Sequence, residues 1–316
     1  MKIFVTGARG FVGKTLVTTL VRDGHQVITA IRSPSLCLEG GVEEVVVGDI
    51  TVIEDWTPYL QHVDVVLHLA GRAHVMDETV RDSAEEYRRN NTWPTSKLFR
   101  DSALMGVKRF VFLSSIKVNG EYTMSDERFG SAVSKVSSDP YGRSKYDAER
   151  SLIEQSKEYE TEFVILRPPM IYGSGVKGNL VSLINAVNRG IPLPFANIDN
   201  LRSLISLANL VDIITVVMIH PKAANEVFIV SDGRDTSLRS LVNDIAAILN
   251  KSPKLIPIPK FILRAALRVV GRKDLVDKLM GDLRLDISKA QELLSWQPTQ
   301  NMHDELTGSV KSVVER

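Results

Sequence analysis

Tyr141 and Lys145 stand four residues apart in the run Tyr141-Gly-Arg-Ser-Lys145, so on a helix they share one face. An ammonium held beside a phenol favours the phenolate and brings proton exchange by tyrosine toward neutral pH, where a free phenol with a pKa near 10 does little. Of the seven tyrosines only Tyr141 has a lysine at this distance, which makes the pair the leading candidate for proton chemistry. A second cluster opens the chain: Gly7-Ala-Arg-Gly10-Phe11-Val12-Gly13 follows the apolar run Ile3-Phe4-Val5 and precedes a helical pattern. There Gly7 lets the chain turn, Gly10 lets backbone approach a pyrophosphate, Gly13 lets helix pack on strand, and the helix N-terminus faces the phosphates. The other reading of such a run is a plain strand-to-helix turn, and its position straight after the first strand argues against it.

The end of the second apolar run bears on which dinucleotide fits that turn. An acid there would accept hydrogen bonds from both ribose hydroxyls, and none occurs between Asp23 and Glu39. Arg32 and Ser33 stand there instead, a guanidinium and a hydroxyl suited to a 2′-phosphate, with Arg9 a second cation within reach. NADPH is the expected cofactor, with NAD(H) the alternative if Arg32 is a solvated loop charge.

These residues need a scaffold, and the pattern supplies one. Apolar runs at 3–5, 26–31, 44–47, 63–69, 109–113 and 162–166 alternate with helical patterns at about 11–22, 81–105 and from about 141. Near-continuous apolar strands separated by helices predict a parallel sheet covered on both faces, and right-handed crossovers make it doubly wound, of Rossmann type. From Pro168 onward prolines and glycines cluster, which suits a smaller interleaved substrate lobe. The expected division is 1–167 for the dinucleotide-binding domain and 168–316 for the lobe, with some segments of the latter returning to the sheet.

A chain of 316 residues with 44% hydrophobic and 24% charged residues is ordinary for a globular protein with a large core. Its net charge of +1 gives no reason to expect nucleic acid. Cys37 is the single cysteine, which excludes an internal disulfide and suits a reducing cytoplasm. Lys2 to Thr6 read as a strand, with no signal peptide, and no apolar run is long enough for stable membrane insertion. The six histidines show no metal spacing, so no metal is expected. Lys260, Arg264, Arg268 and Arg272 recur every four residues. Such a stripe is ordinarily the solvated side of a packed helix, or else a surface for a membrane or an acidic partner.

With the glycine turn, the Ser114-Ser115 strand end and the Tyr141/Lys145 pair in this order, the chain resembles the extended branch of the short-chain dehydrogenase/reductase family. That branch holds nucleotide-sugar epimerases, dehydratases and reductases, and the resemblance runs nearly end to end. It implies that Ser115, aligned through Val118-Asn119-Gly120, bonds the sugar oxygen that Tyr141 protonates or deprotonates. It implies too that Lys145 holds the nicotinamide ribose and depresses the Tyr141 pKa. Asp49-Ile50 resembles the adenine-contacting pair, and Leu69-Ala70-Gly71 the turn against the dinucleotide. Asn91 matches a structural asparagine, unless it is an ordinary surface residue. Pro168, in Arg167-Pro-Pro169, resembles a backbone stretch passing the nicotinamide.

On the substrate side, Lys117 shares a face with Ser115 if the strand continues, and there it could contact sugar or diphosphate. Otherwise it is a charge at the mouth of the cleft. Asn179 matches a diphosphate-binding asparagine and also suits a helix N-cap. Arg202 resembles a phosphate-pairing arginine, although Ser203 follows it where the family has aspartate. Asp282 resembles a ribose or phosphate contact. Family dehydratases carry Asp-Glu after the serine, and Ile116-Lys117 stand here, which excludes dehydration. The resemblance implies a cytoplasmic homodimer acting on a UDP-sugar, built on helices at about 81–105 and 141–160. The activity expected is NADPH-dependent 4-reduction of a UDP-4-keto-6-deoxy-hexose for surface polysaccharide. The alternative is a UDP-hexose or UDP-N-acetylhexosamine 4-epimerase with retained NAD, and a non-catalytic dinucleotide sensor is more remote.

Overall fold

Alternation within the first strand sets up both layers of the core. In β1 (Lys2–Thr6) Ile3 and Val5 face one side and Phe4 the other, all fully buried. The computed structural model describes residues 1–34, 41–72, 83–124, 126–269 and 280–315. Cys37, His74, Arg272 and the expected helix start at Arg81 lie outside them. After β1 come α1 (Phe11–Arg22), β2 (Gln26–Ile31), β3 (Val42–Val46), β4 (Val65–His68), α2 (Ser83–Tyr87) and α3 (Trp93–Leu104). The expected helix at 81–105 thus carries a π-helical turn, Arg88–Thr92, between α2 and α3. There follow β5 (Arg109–Leu113), α4 (Pro140–Gln155), β6 (Glu162–Arg167) and β7 (Met170–Tyr172). Next are α5 (Asn179–Asn188), β8 (Arg202–Ser206), α6 (Leu207–Ile219), β9 (Glu226–Ile229), β10 (Asp235–Thr236), α7 (Leu238–Ile248) and α8 (Lys260–Val269).

Seven strands pair in parallel in the order β3-β2-β1-β4-β5-β6-β9. The fold is the expected doubly wound α/β sheet. The order reverses between β1 and β4, and beyond their carboxyl ends lies the crevice where such sheets bind ligands. The central strands β4 and β5 are apolar except for His68 and Arg109 at their ends, whereas the edge strand β3 brings Glu43 and Glu44 into the sheet. One face is covered by α1 and α6 through Leu16, Leu20, Leu210 and Ile214. The other is covered by α3 and α4 through Leu98, Phe99, Ala148 and Leu152. β9 lies far along the chain and still completes the large sheet, while β7, β8 and β10 form a separate three-stranded one.

Candidate active site

The glycine turn is dictated by contact as well as conformation. Gly7 has φ +74°, and a Cβ there would lie 2.7 Å from the Ala70 amide nitrogen. A Cβ on Gly13 would lie 2.2 Å from the Gly7 carbonyl oxygen, so α1 could not seat against β1 with any side chain at that position. Gly10 caps α1 without a side-chain hydrogen bond, which leaves the first amides of the helix facing outward, as a phosphate requires. Phe11 and Val12 begin the helix, and both pack into the core cluster beneath it. This cradle fits a dinucleotide.

Strand β5 ends at Leu113, and the chain does not continue as a strand past Ser115. Ile116–Val118 is a 3₁₀ turn capped by the Ser115 hydroxyl, which accepts from the Lys117 amide at 3.3 Å. Lys117 therefore does not line up with Ser115 along a strand. Its ammonium pairs with Asp139 (3.3 Å) and Glu121 (3.2 Å) and lies 5.8 Å from the centre of the Tyr141 ring. Asp139 is also the N-cap of α4, accepting from the Gly142 amide at 2.9 Å. Gly142 is needed because a Cβ there would meet the Lys117 carbonyl oxygen at 2.4 Å. Helix α4 is thus pressed onto the Ser115 turn, and Tyr141 reaches the serine hydroxyl.

Tyr141, Lys145, Leu69, Gly71, Arg72, Ser115 and Pro168 line one cleft. Lys145 is buried, donates to the Leu113 carbonyl at 2.9 Å and sits 4.5 Å from the centre of the Phe112 ring. Loss of solvent brings its pKa down to about 8, against the nearby charge of Glu149. Among the protein's own groups, Tyr141 moves opposite to expectation. Loss of solvent pushes the phenol up to about 12, the Ser115 hydrogen bond opposes this, and Asp139 and Tyr87 add to it. The expected depression by Lys145 is absent, because that ammonium is turned to the Leu113 carbonyl and is itself poorly solvated.

Behind the pair, α4 carries a third residue on the same face. Glu149 is buried with Arg167, whose Nε and Nη2 both bond its carboxylate, and the Ser114 hydroxyl donates to it at 2.5 Å. Arg167 also donates to Asn119 Oδ1 and the Ser131 carbonyl, so the guanidinium is held on all sides. Asn91 is buried in the π-helical turn. It accepts from the Arg72 amide at 2.8 Å and donates to Ser144 Oγ at 3.0 Å, tying the strand-end turn after β4 to α4. Below them His68 bonds Thr6 and Thr95, at 2.7 and 2.9 Å, and burial holds its pKa near 3. Ala70 donates to Thr6 Oγ1 at 3.3 Å, so this chain of bonds reaches the dinucleotide turn.

The end of the crevice expected to take the adenosine is built differently. Arg9 is taken by Glu44, which accepts from Nη2 at 3.0 and 3.1 Å, and by the Ser33 carbonyl at 3.2 Å. It is therefore not the free second cation that the spacing suggested. Arg32 is 73% exposed and reaches Asp49 only at 3.8 Å. The Thr51 amide is the main influence holding the Asp49 carboxyl below its usual range. Ile50 packs on the core layer under α3 and α4.

The substrate-side candidates lie in the segments after Pro168. Asn179 is exposed and is the first residue of α5; the N-cap is Gly178, not Asn179. Arg202 is half-buried, donates to the Gly281 carbonyl at 3.0 Å, and burial lowers its pKa against Glu121 and Asp282. Asp282 accepts from the Leu201 amide at 2.8 Å, a bond that holds the two segments together. Ser203, where the family has aspartate, donates to Asp235 at 2.5 Å, and that carboxylate also takes Arg128 and Arg284.

Sequence reasoning missed Glu44, Tyr87, Asp139 and Glu149. Two left a signal: Asp139-Pro140 is a helix-start pair, and Glu149 repeats the four-residue step from Tyr141 through Lys145. Glu44 meets Arg9 across the sheet and Tyr87 meets Tyr141 edge-on from a neighbouring helix, at 5.7 Å between ring centres, and neither left one.

The NAD dependent epimerase/dehydratase family profile matches residues 3–231. A Vibrio cholerae relative, UDP-glucose 4-epimerase, is 42% identical over 304 residues, covering 96% of this chain and 92% of its own. An Escherichia coli O157:H7 relative, N-acetyl-alpha-D-glucosaminyl-diphospho-ditrans,octacis-undecaprenol 4-epimerase, is 26% identical over 287 residues, 88% of this chain and 81% of that one. Among solved structures, UDP-glucuronic acid 4-epimerase from Bacillus cereus in complex with NAD superposes with a TM-score of 0.82 at 22% identity. That match covers 100% of this chain and 99% of the other. With most of the sheet inside the matched region and a relative of such identity spanning nearly its whole length, the chain belongs to the NAD-dependent epimerase/dehydratase family.

Proposed function

We propose that this protein is a 4-epimerase of a UDP-hexose or UDP-N-acetylhexosamine, with a retained nicotinamide dinucleotide. The likeness to the Vibrio cholerae UDP-glucose 4-epimerase along nearly the whole of both chains carries this reading. The pairing of Arg9 with Glu44 supports it, since one of the two cations that favoured NADPH is already neutralised. Held by the glycine turn after β1, a bound dinucleotide would supply a reversible hydride acceptor for C4. Tyr141 removes the proton of the C4 hydroxyl and returns it to the same oxygen after the sugar has turned over. Ser115 holds that oxygen by a hydrogen bond. Lys145, a buried cation on the same helix face, would bond the nicotinamide ribose, and since its ammonium is turned to the Leu113 carbonyl, the positive charge of the oxidised ring would be what favours the tyrosinate. Arg202 and Asn179 take the diphosphate. The two positions after Ser115 supply no acid and base for dehydration, since Ile116 is buried and Lys117 is bound by two carboxylates.

The second reading, an NADPH-dependent 4-reductase of a UDP-4-keto-6-deoxy-hexose, is favoured by Arg32. It is exposed at the end of β2, where an acid would mark NAD. Parallel incubation with UDP-glucose, UDP-GlcNAc and UDP-4-keto-6-deoxy-GlcNAc separates the two. Interconversion at C4 with no added dinucleotide, and a dinucleotide released on denaturation, is the expected result. Stoichiometric loss of NADPH absorbance with the keto sugar alone would replace the epimerase by the reductase. Absence of turnover on all three would leave a dinucleotide sensor.

A homodimer through α3 and α4 belongs to the same proposal. These helices are joined side by side through Ser96, Ser151 and Gln155, while Trp93 and Leu104 of α3 remain exposed. Light scattering should give twice the chain mass at micromolar concentration.

A further inference from the structure

Between Asp244 and Asp274 the sequence has seven lysines and arginines and no acid. With a net charge of +1 for the whole chain, the remainder is net acidic. Within that stretch the structure exposes Lys251, Lys254, Lys260, Arg264 and Arg268. It also exposes large apolar side chains: Ile256 is 43%, Ile262 47% and Phe261 72% accessible. A solvated basic stripe on a packed helix would hide its apolar residues, and α8 hides Leu263 but shows Phe261 and Ile262.

The arrangement around the helix axis is one-sided. At about 100° per residue, Lys260, Arg264 and Arg268 fall in one narrow row, Phe261 borders it, and Ala265 and Ile262 follow. Leu263 lies on the side away from Phe261 and is buried. A cationic row beside an exposed apolar row is the geometry of a helix lying in a membrane interface. Its apolar side chains enter the acyl boundary there, and its long basic side chains reach back to headgroup phosphates. No helix among the described residues is long and apolar enough to cross a bilayer, so any contact through α8 is peripheral. An acidic protein surface would match the cations and leave Phe261 and Ile262 unaccounted for.

We propose that α8 and the basic segment leading into it dock this protein reversibly on an anionic phospholipid surface. The occupant is a bilayer carrying phosphatidylglycerol-type headgroups. Docking is independent of the epimerase reading, since none of these residues lines the catalytic cleft.

Flotation of the full-length protein, loaded with dinucleotide, tests this with vesicles of phosphatidylcholine alone and of phosphatidylcholine mixed with phosphatidylglycerol. The expected result is binding to the mixed vesicles only, weakening as salt is raised. Joint substitution of Phe261→Ser and Ile262→Ser, or of Arg264→Glu and Arg268→Glu, should each lower the bound fraction about tenfold or more. Turnover of a dissolved sugar nucleotide should be unchanged in both. If the serine pair disturbs folding, Phe261→Trp replaces it, and its emission should shift to shorter wavelength on mixed vesicles and not on neutral ones. Equal binding to both vesicle types, no binding to either, or binding indifferent to Phe261 and Ile262 would overturn the proposal. So would capture of polyglutamate with the vesicles ignored, which would point to an acidic protein instead.

Discussion

The two ends of the crevice are built to different standards. At the Tyr141 end the polar groups are buried or bonded: Lys145 to Leu113, Asn91 to Arg72 and Ser144, Glu149 to Arg167 and Ser114. At the other end, beyond β2, Arg32 and Asp49 face each other across 3.8 Å in solvent, 73% and 48% exposed. Proton transfer needs groups held at hydrogen-bond distance, and a packed environment supplies that. Telling a ribose hydroxyl from a phosphate turns on one charged side chain able to bond the ligand, and an exposed side chain supplies that. Chemistry in this protein is therefore expensive to disturb, and cofactor preference is easy to change.

The sharpest break of that contrast is at Tyr141. Tyr141→Phe should lower kcat by at least about 100-fold, the range for loss of acid–base catalysis, while bound dinucleotide stays near wild type. A variant keeping more than about a tenth of kcat would remove Tyr141 from the proton path.

Next in size is the buried pair behind it. Glu149→Gln leaves the Arg167 charge without its partner and should destabilise the fold by about 3 kcal/mol, read as a lowered denaturation midpoint at unchanged slope. It should also harm Lys145, because Glu149 is the charge that opposes the desolvation of that ammonium. A neutral effect on stability would mean the pair adds nothing beyond packing.

His68 sharpens the comparison through pH. Its pKa near 3 in the folded protein lies below the ordinary 6.5. Between those values the unfolded chain binds the proton and the folded one does not. Stability is therefore intact above pH 6.5 and falls as pH drops toward 3, by up to about 1.4 kcal/mol per unit from this group. Denaturation curves at steps of pH should show the slope, and His68→Asn should flatten it.

The smallest effect belongs to the exposed end. Arg32→Asp should shift the ratio of NADPH to NADH affinity toward NADH by about tenfold, the contribution of one charge-assisted bond. Equilibrium titration with both dinucleotides measures it. An unchanged ratio would make Arg32 a loop charge and strengthen retained NAD.

Which parts of this were legible beforehand follows the range of the interactions. The bounds of α1, β2 and β5 could be read from the chain because each is a short apolar or amphipathic run closed by local signals. The glycine turn and the Tyr141/Lys145 spacing could be read for the same reason, since helix and turn geometry act over a few residues. Arg9 looked free because its partner Glu44 lies on another strand, 35 residues away. Lys117 looked like a substrate contact because nothing local announces the 3₁₀ turn that swings it to Asp139.

From the amino-acid order alone came the layer architecture, the place of the glycine turn and the shared helix face of Tyr141 and Lys145. All three depend on periodicity and on φ, ψ limits that neighbouring residues impose. Only the tertiary structure decided the charge environment: which cation is neutralised, which lysine is desolvated, which face of α8 is left bare. Those outcomes depend on distance in space and on how much water is excluded, and residues far apart in the chain set both.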